Sequence, residues 1–255
     1  MINEIIHSIS SYVKALFLLI QYRLYKYLLL LLILLIIFAF PVVIFDFIIQ
    51  LITGLIPYAD AQKYASVPVQ IAAGFSGFLL LLVLSPVFSL VSEETGQRLS
   101  GKTYRFSPAQ LVKDIIRGVK ITLRNLLYQY VFIALVSVIM YLLPEMKIIQ
   151  IAGNAVIFII TAYFYGFSIL DYAMENLRMS YKKSVEFVRN HPGMAVGLGS
   201  VYYAAISFNN ISLINSIFGN FNIYWSNFAE AIVAFVGVIA ASYLMFSTHI
   251  PIDKN

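Results

Sequence analysis

The chain contains no cysteine. That excludes a disulfide framework, a thiolate-held metal cluster and a thiol nucleophile, and it leaves the redox compartment unmarked. Histidine is nearly as scarce. His7, His191 and His249 stand far apart, and no HExxH, GxSxG or Walker sequence occurs. Conventional catalysis therefore has no support, and neither an enzymatic activity, a metal nor a cofactor is expected. There is no heptad seam, low-complexity tract or soluble domain. Charge is scarce as well: 11% of the 255 residues are charged, while 61% are hydrophobic. A soluble protein of this size needs far more polar surface. The chain reads as an all-α integral membrane protein. Its net charge of +5 reports orientation in the bilayer first, and no nucleic-acid partner is expected.

What is present is a series of apolar runs. Residues 1–26, "MINEIIHSISSYVKALFLLIQYRLYK", carry scattered charges and no small-residue cleavage site. This segment reads as amphipathic and retained in the mature protein. Residues 27–91 form a long hairpin whose first arm exceeds a ~30 Å hydrocarbon core at ~1.5 Å per residue, so a tilt, a kink at Pro41 or a projection is expected. Residues 92–125 are basic and hydrophilic, 126–170 form a second hairpin, 171–192 a charged helix and 193–247 a third hairpin. The run 193–208 is short for a span of ~20 residues, so a mixture of full and partial crossings is expected.

The cations fix an expected orientation. Segment 92–125 holds Arg98, Lys102, Arg105, Lys113, Arg117, Lys120 and Arg124; segment 171–192 holds Arg178, Lys182, Lys183 and Arg189. The opposite loops hold Lys63 and Lys147. The positive-inside rule places both termini in the cytoplasm.

Four stretches carry candidate chemistry. In "LSPVFSLVSEETGQRLSG", residues 84–101, Ser85 is expected to cap and Pro86 to start a helix that ends among Glu93, Glu94 and Arg98. In "SPAQLVKDIIRGVKITLRN", residues 107–125, Ser107 and Pro108 are the expected start. Lys113, Arg117, Lys120 and Arg124 then share a face opposite Leu111, Val112, Ile115, Ile116 and Val119. That basic stripe suits lipid phosphates at the cytoplasmic interface or the attraction of a small anion. Asp46 and Glu230 lie within apolar runs, where a carboxylate costs ~2.5–3.5 kcal/mol at mid-helix and needs a partner, water or a proton. Gly193, Gly197 and Gly199 in "HPGMAVGLG" read as close helix packing.

Taken together, "LSPVFSLVSEETGQRLSG", "LVKDIIRGVKITLRNLLY", "YLLP" and "ILDYAMENLRMSYKKSVEFVRNHPGMAVGLGSV" resemble the CysZ family of bacterial sulfate permeases, grouped with the eukaryotic etoposide-induced membrane proteins. The resemblance runs from about residue 20 to 247. It implies two long transmembrane helices, two pairs of partially penetrating helices, homo-oligomeric assembly and residence in the bacterial inner membrane among lipids. It also implies passage of a small inorganic anion, sulfate first, without ATP hydrolysis. The family's Arg-Arg pair before the first long helix falls on Tyr25-Lys26, with Arg23 nearby. Its first Glu and its Arg in the opening stretch fall on Glu93 and Arg98, which it places in the permeation path. A second acidic position falls on Gly96.

Two function classes remain at this point: a passive anion permease, and a non-transporting scaffold or accessory protein that binds lipid or another membrane complex. Tyr25-Lys26 favours the scaffold, because Lys lacks the bidentate fork that Arg offers an oxyanion. Glu93, Arg98 and the basic stripe favour the permease.

Overall fold

A computed structural model describes residues 1–37, 81, 83–101, 108–144, 146–209 and 222–247, without the side chains of 108–115, 206, 208, 209 and 222–227. Eight helices account for nearly all of this: α1 (Ile2–Gln21), α2 (Lys26–Ile37), α3 (Ser85–Ser100), α4 (Pro108–Leu142), α5 (Lys147–Asn176), α6 (Tyr181–Asn190), α7 (Pro192–Asn209) and α8 (Asn222–Ser247). No strand occurs among the described residues. The expected all-α class is what the chain adopts. Among the described residues, three stretches are long and apolar enough to cross a bilayer, Ile116–Leu142, Lys147–Asn176 and Phe228–Ser247, or four if the bent pair of α1 and α2 counts as one span. The chain is a multi-pass membrane protein. The first two stretches have 27 and 30 residues, roughly 40 and 45 Å at ~1.5 Å per residue, so each arm of the second hairpin has the length for a full crossing. α7, with 18 residues, is as short as its sequence suggests.

Each helix start has a local reason. Pro108 occupies the first position of α4 as expected, since its missing N–H is unneeded there. α3 departs from expectation. Leu84, not Ser85, is the N-cap: its carbonyl accepts from the N–H groups of Val87 and Phe88, and no side chain caps the helix. Pro86 nonetheless sits in the first turn. The cause is that Leu84 is already in the right-handed helical region, so the chain does not take the extended conformation a serine cap requires. α3 stops at Gly101, whose φ of 68° suits glycine.

α1 inverts the pattern of a soluble amphipathic helix. Ile2, Ile6, Ile9, Val13, Phe17 and Ile20 are exposed, whereas Ser8, Ser11, Tyr12, Ala15 and Leu18 are buried. The small residues let α1 lie against α7 and α8, and the apolar outer face suits lipid. Gly193 of α7 meets Met1 and Glu4, and Gly197 meets Ile5 and Ser8. The Tyr12 hydroxyl donates to the Leu198 carbonyl at 2.8 Å. Helices α5 and α7 approach still more closely. A Cβ on Gly166 would collide with the Ala195 carbonyl, and one on Gly199 with the Ala162 carbonyl. The sequence reading of the α7 glycines as packing residues matches this geometry. α8 runs through the middle, packed on α1, α3, α5 and α7, and 72% of its most apolar window is buried, against 17% for α4 and 22% for α5. α4 packs on α5.

Gly199→Ala drives a methyl group into backbone that cannot yield, so it should destabilise by at least the ~1–3 kcal/mol typical of overpacking. Gly118→Ala, with open space at its Cβ, should gain up to ~1 kcal/mol from helix propensity. Thermal unfolding in detergent checks both; equal shifts for the two variants would contradict this packing.

Candidate functional site

The turn between α1 and α2 forms one wall of the site. The two helices meet at 105°. Arg23 adopts φ 55°, the Arg23 N–H bonds the Ile20 carbonyl, and the Leu24 N–H bonds the Leu19 carbonyl. This is a Schellman ending with arginine where glycine is easier. Arg178 repeats it after α5 with φ 56°: its N–H bonds the Glu175 carbonyl, and the Met179 N–H bonds the Met174 carbonyl. Holding a non-glycine residue there costs ~1–2 kcal/mol, so both endings retain a guanidinium against backbone preference. Arg23 and Tyr25 are exposed beside the turn, and buried Leu24 anchors it.

The second wall is the inner half of α3. The Ser89 hydroxyl donates to Glu175 at 2.8 Å, Ser92 and Ser242 share a 2.8 Å bond, and Phe88 meets Tyr172 edge-on at 5.4 Å. These contacts fix α3 on α5 and α8. α3 then presents Glu94 to α2. Lys26 Nζ lies 2.6 Å from Glu94 Oε2, the Tyr27 hydroxyl donates to the same oxygen at 2.6 Å, and Arg98 reaches Oε1 at 3.4 Å. Glu94 is mostly enclosed, with 14% of its side chain exposed, while Lys26 and Arg98 are more than half exposed. Burial acts to raise the Glu94 carboxyl. The hydrogen bonds from Lys26 and Tyr27, the Lys26 charge and the Arg98 bond outweigh it and hold the group below the ordinary glutamate range.

Lys26 and Arg98, two residues singled out from sequence, thus meet through Glu94. Sequence reading put its weight on Glu93, whose Oε1 accepts from Gln97 at 3.1 Å within the same helix. The visible signal for Glu94 was its i,i+4 spacing to Arg98. Two cations thus share one carboxylate, with Glu93 also within electrostatic reach of Tyr27. The acidic position absent at Gly96 also has a cause: a Cβ there would lie 2.7 Å from the Phe246 ring, so α8 fills the space that a side chain would need.

Among the described side chains, the cations of the basic stripe do not share one exposed face. Lys120 is exposed, but the Arg117 side chain is 13% exposed, pairs with Asp171 at 2.5 Å and donates to the Ser184 hydroxyl at 2.7 Å. Carboxylate and hydroxyl partners from α5 and α6 turn it inward. Arg124 lies over the Tyr128 and Phe167 rings at 5.2 and 5.4 Å and donates to Asn125 at 3.3 Å. The Lys113 side chain and all of Asp46 lie outside the described residues. Glu230 is 6% exposed, within electrostatic reach of Tyr165 and Tyr202, and its Oε2 has no hydrogen-bond partner among the described residues. It stands apart from the Glu94 cluster, on the half of α8 nearer its start.

The lowered Glu94 carboxyl predicts a pH dependence. A group whose folded pKa lies below its unfolded value adds stability that is fully present above the unfolded value, ~4.3 for glutamate, and is lost as pH falls through the folded one. The stability difference between wild type and Glu94→Gln should therefore be constant near neutral pH and shrink as the medium is acidified below that range. Chemical unfolding across pH 3–7, about that window, measures it; a difference that grows on acidification would overturn the assignment.

A search of characterised proteins found no match. The profile of one family, described as sulfate transporter CysZ/etoposide-induced protein 2.4, matches residues 6–219, spanning α1, the Arg23 turn, the Glu94 cluster and α7. The chain is a member of that family.

Proposed function

We propose that the protein is a passive anion permease of a bacterial inner membrane, with sulfate as its first candidate substrate and both termini in the cytoplasm. In this reading it works as a homo-oligomer, as the family likeness implies. The observation that carries the proposal is the Lys26–Glu94–Arg98 cluster at the break between α1 and α2. Exposed ion pairs contribute only ~0–1 kcal/mol to stability, so two half-exposed cations on an enclosed carboxylate are poorly explained as structural supports. As anion contacts they make sense. An arriving oxyanion exchanges with Glu94 for the Lys26 ammonium and the Arg98 guanidinium, and the carboxylate keeps either cation from holding it too tightly. Binding that is strong enough to admit an ion and weak enough to release it is what conduction requires. Arg23, held in place by its strained turn, supplies a third cation on the same approach. Tyr25 adds a neutral hydroxyl donor, and Glu93 an acidic group one residue from the cluster.

Electrostatic attraction scales with the product of charges. Lys26→Gln should therefore reduce sulfate flux more than chloride flux in liposomes holding the purified protein. Arg23→Gly, which relieves the turn, should leave stability unchanged or improved and still lower sulfate flux. The scaffold reading, favoured by Tyr25-Lys26, predicts the opposite: a protein-independent leak in wild type and both variants, with binding to anionic lipid that does not depend on Lys26.

A further inference from the structure

Asp171 neutralises Arg117 on α4. Two other guanidiniums have no such counterpart. Arg124 of α4 places one of its five N–H donors on Asn125, and no carboxylate pairs with Arg124 or Arg189 among the described residues. Arg189 stands exposed in the last turn of α6. Both guanidiniums lie within electrostatic reach of the half-buried Tyr163 phenol on α5. Three helices thus bring two cations to one hydroxyl donor. Arg124 is fixed in place: its guanidinium lies over the Tyr128 and Phe167 rings, and buried Asn125 donates in turn to the Ser168 hydroxyl at 3.2 Å. Two like charges around one phenol repel each other, and an anion between them removes that cost.

The surroundings say which anion fits. A helix needs ~20 residues to cross the hydrocarbon core, and counting that many back from the end of α4 at Leu142 reaches Leu123. Arg124 therefore sits at the level of the lipid headgroups. Leu127, Val131 and Leu135, which follow Arg124 by three, seven and eleven residues, are exposed and share its side of the helix. That strip runs roughly 16 Å at ~1.5 Å per residue, about the depth of one leaflet of a ~30 Å core. A free oxyanion gains nothing from such a strip, whereas an acyl chain can lie along it. We propose that Arg124, Arg189 and Tyr163 form a headgroup site for an anionic phospholipid, with its acyl chain along Leu127, Val131 and Leu135. Each guanidinium offers phosphate oxygens a two-pronged donor, and the Tyr163 hydroxyl donates to a further oxygen. The site is built on α4, α5 and α6 rather than on α2 and α3. Its readout is lipid binding, so it stands or falls separately from anion flux.

The test titrates the full chain in detergent micelles with dioleoyl phosphatidylglycerol and counts bound lipid by native mass spectrometry. Dioleoyl phosphatidylcholine, which has the same chains and no net charge, serves as the comparison. Phosphatidylglycerol should bind the more tightly. Arg189→Gln should weaken it about fivefold, the loss expected for one cation at a membrane surface, and Arg189→Gln with Arg124→Gln about thirtyfold. Arg189 is exposed, so its single variant should unfold thermally as wild type does in lipid-free detergent and reads the site without disturbing the bundle. Lys14→Gln, which removes an exposed cation of α1, should leave binding unchanged. Inorganic phosphate at the concentration of the lipid should not displace it. Equal binding of the two lipids, an Arg189→Gln variant that binds as wild type does, or an equal loss in Lys14→Gln would overturn the proposal. Displacement by inorganic phosphate would overturn it too, and would mark a site for a free oxyanion instead.

Discussion

Everything in this bundle depends on how closely α5 and α7 approach each other. At Gly166 and Gly199 the two backbones touch with no room for a Cβ. In lipid the hydrophobic effect does not drive helices together, so contact at this range supplies the attraction through dispersion and backbone polarity. The same device repeats outward from this pair. Gly193 and Gly197 seat α1 on the start of α7, Gly237 receives the Tyr12 hydroxyl, and Gly96 receives the Phe246 ring. α8 is thereby enclosed, and α3 is fastened to it and to α5 by Ser92–Ser242 and Ser89–Glu175.

The position of Glu94 follows from that scaffold. α3 can present a carboxylate to α2 only because its other face is locked to α5 and α8. α2 can bring Lys26 to within 2.6 Å only because the Arg23 turn swings the chain through about a right angle after α1. A serine-lined helix, two close glycine contacts and a strained arginine thus converge on one cluster of two cations and a carboxylate. The Arg117–Asp171–Ser184 junction ties α4, α5 and α6 in a separate place. Breaking a buried pair of this kind typically costs ~3–5 kcal/mol, which marks Arg117 as a structural cation beside the exposed Lys120.

Much of this was legible in the sequence. The apolar runs gave the helical class, Pro86 and Pro108 fell in first turns, and the spacing of Gly193, Gly197 and Gly199 announced close packing. The family segments were recognisable in order. What was not legible depended on distant partners. Periodicity says which residues share a face, but in a membrane protein it does not say whether the face meets lipid or protein. Hence α1 read only as an amphipathic segment, and the burial of its serine-bearing face against α7 and α8 was not visible. Hence also Arg117 read as part of one basic stripe for lipid phosphates or a small anion, although its partners Asp171 and Ser184 lie 54 and 67 residues along the chain. The choice between Glu93 and Glu94 turned on a single helical step of about 100°, and the approach of α2 decided it.

The central claim is that anions cross this membrane protein passively, past Lys26, Glu94 and Arg98. The most direct measurement is the current through a planar bilayer containing the purified chain, with potassium sulfate at unequal concentrations on the two sides. The account predicts a protein-dependent conductance whose reversal potential lies near the equilibrium potential of sulfate. A bilayer that conducts no better with the protein than without it, or a reversal potential at the potassium value, would contradict it.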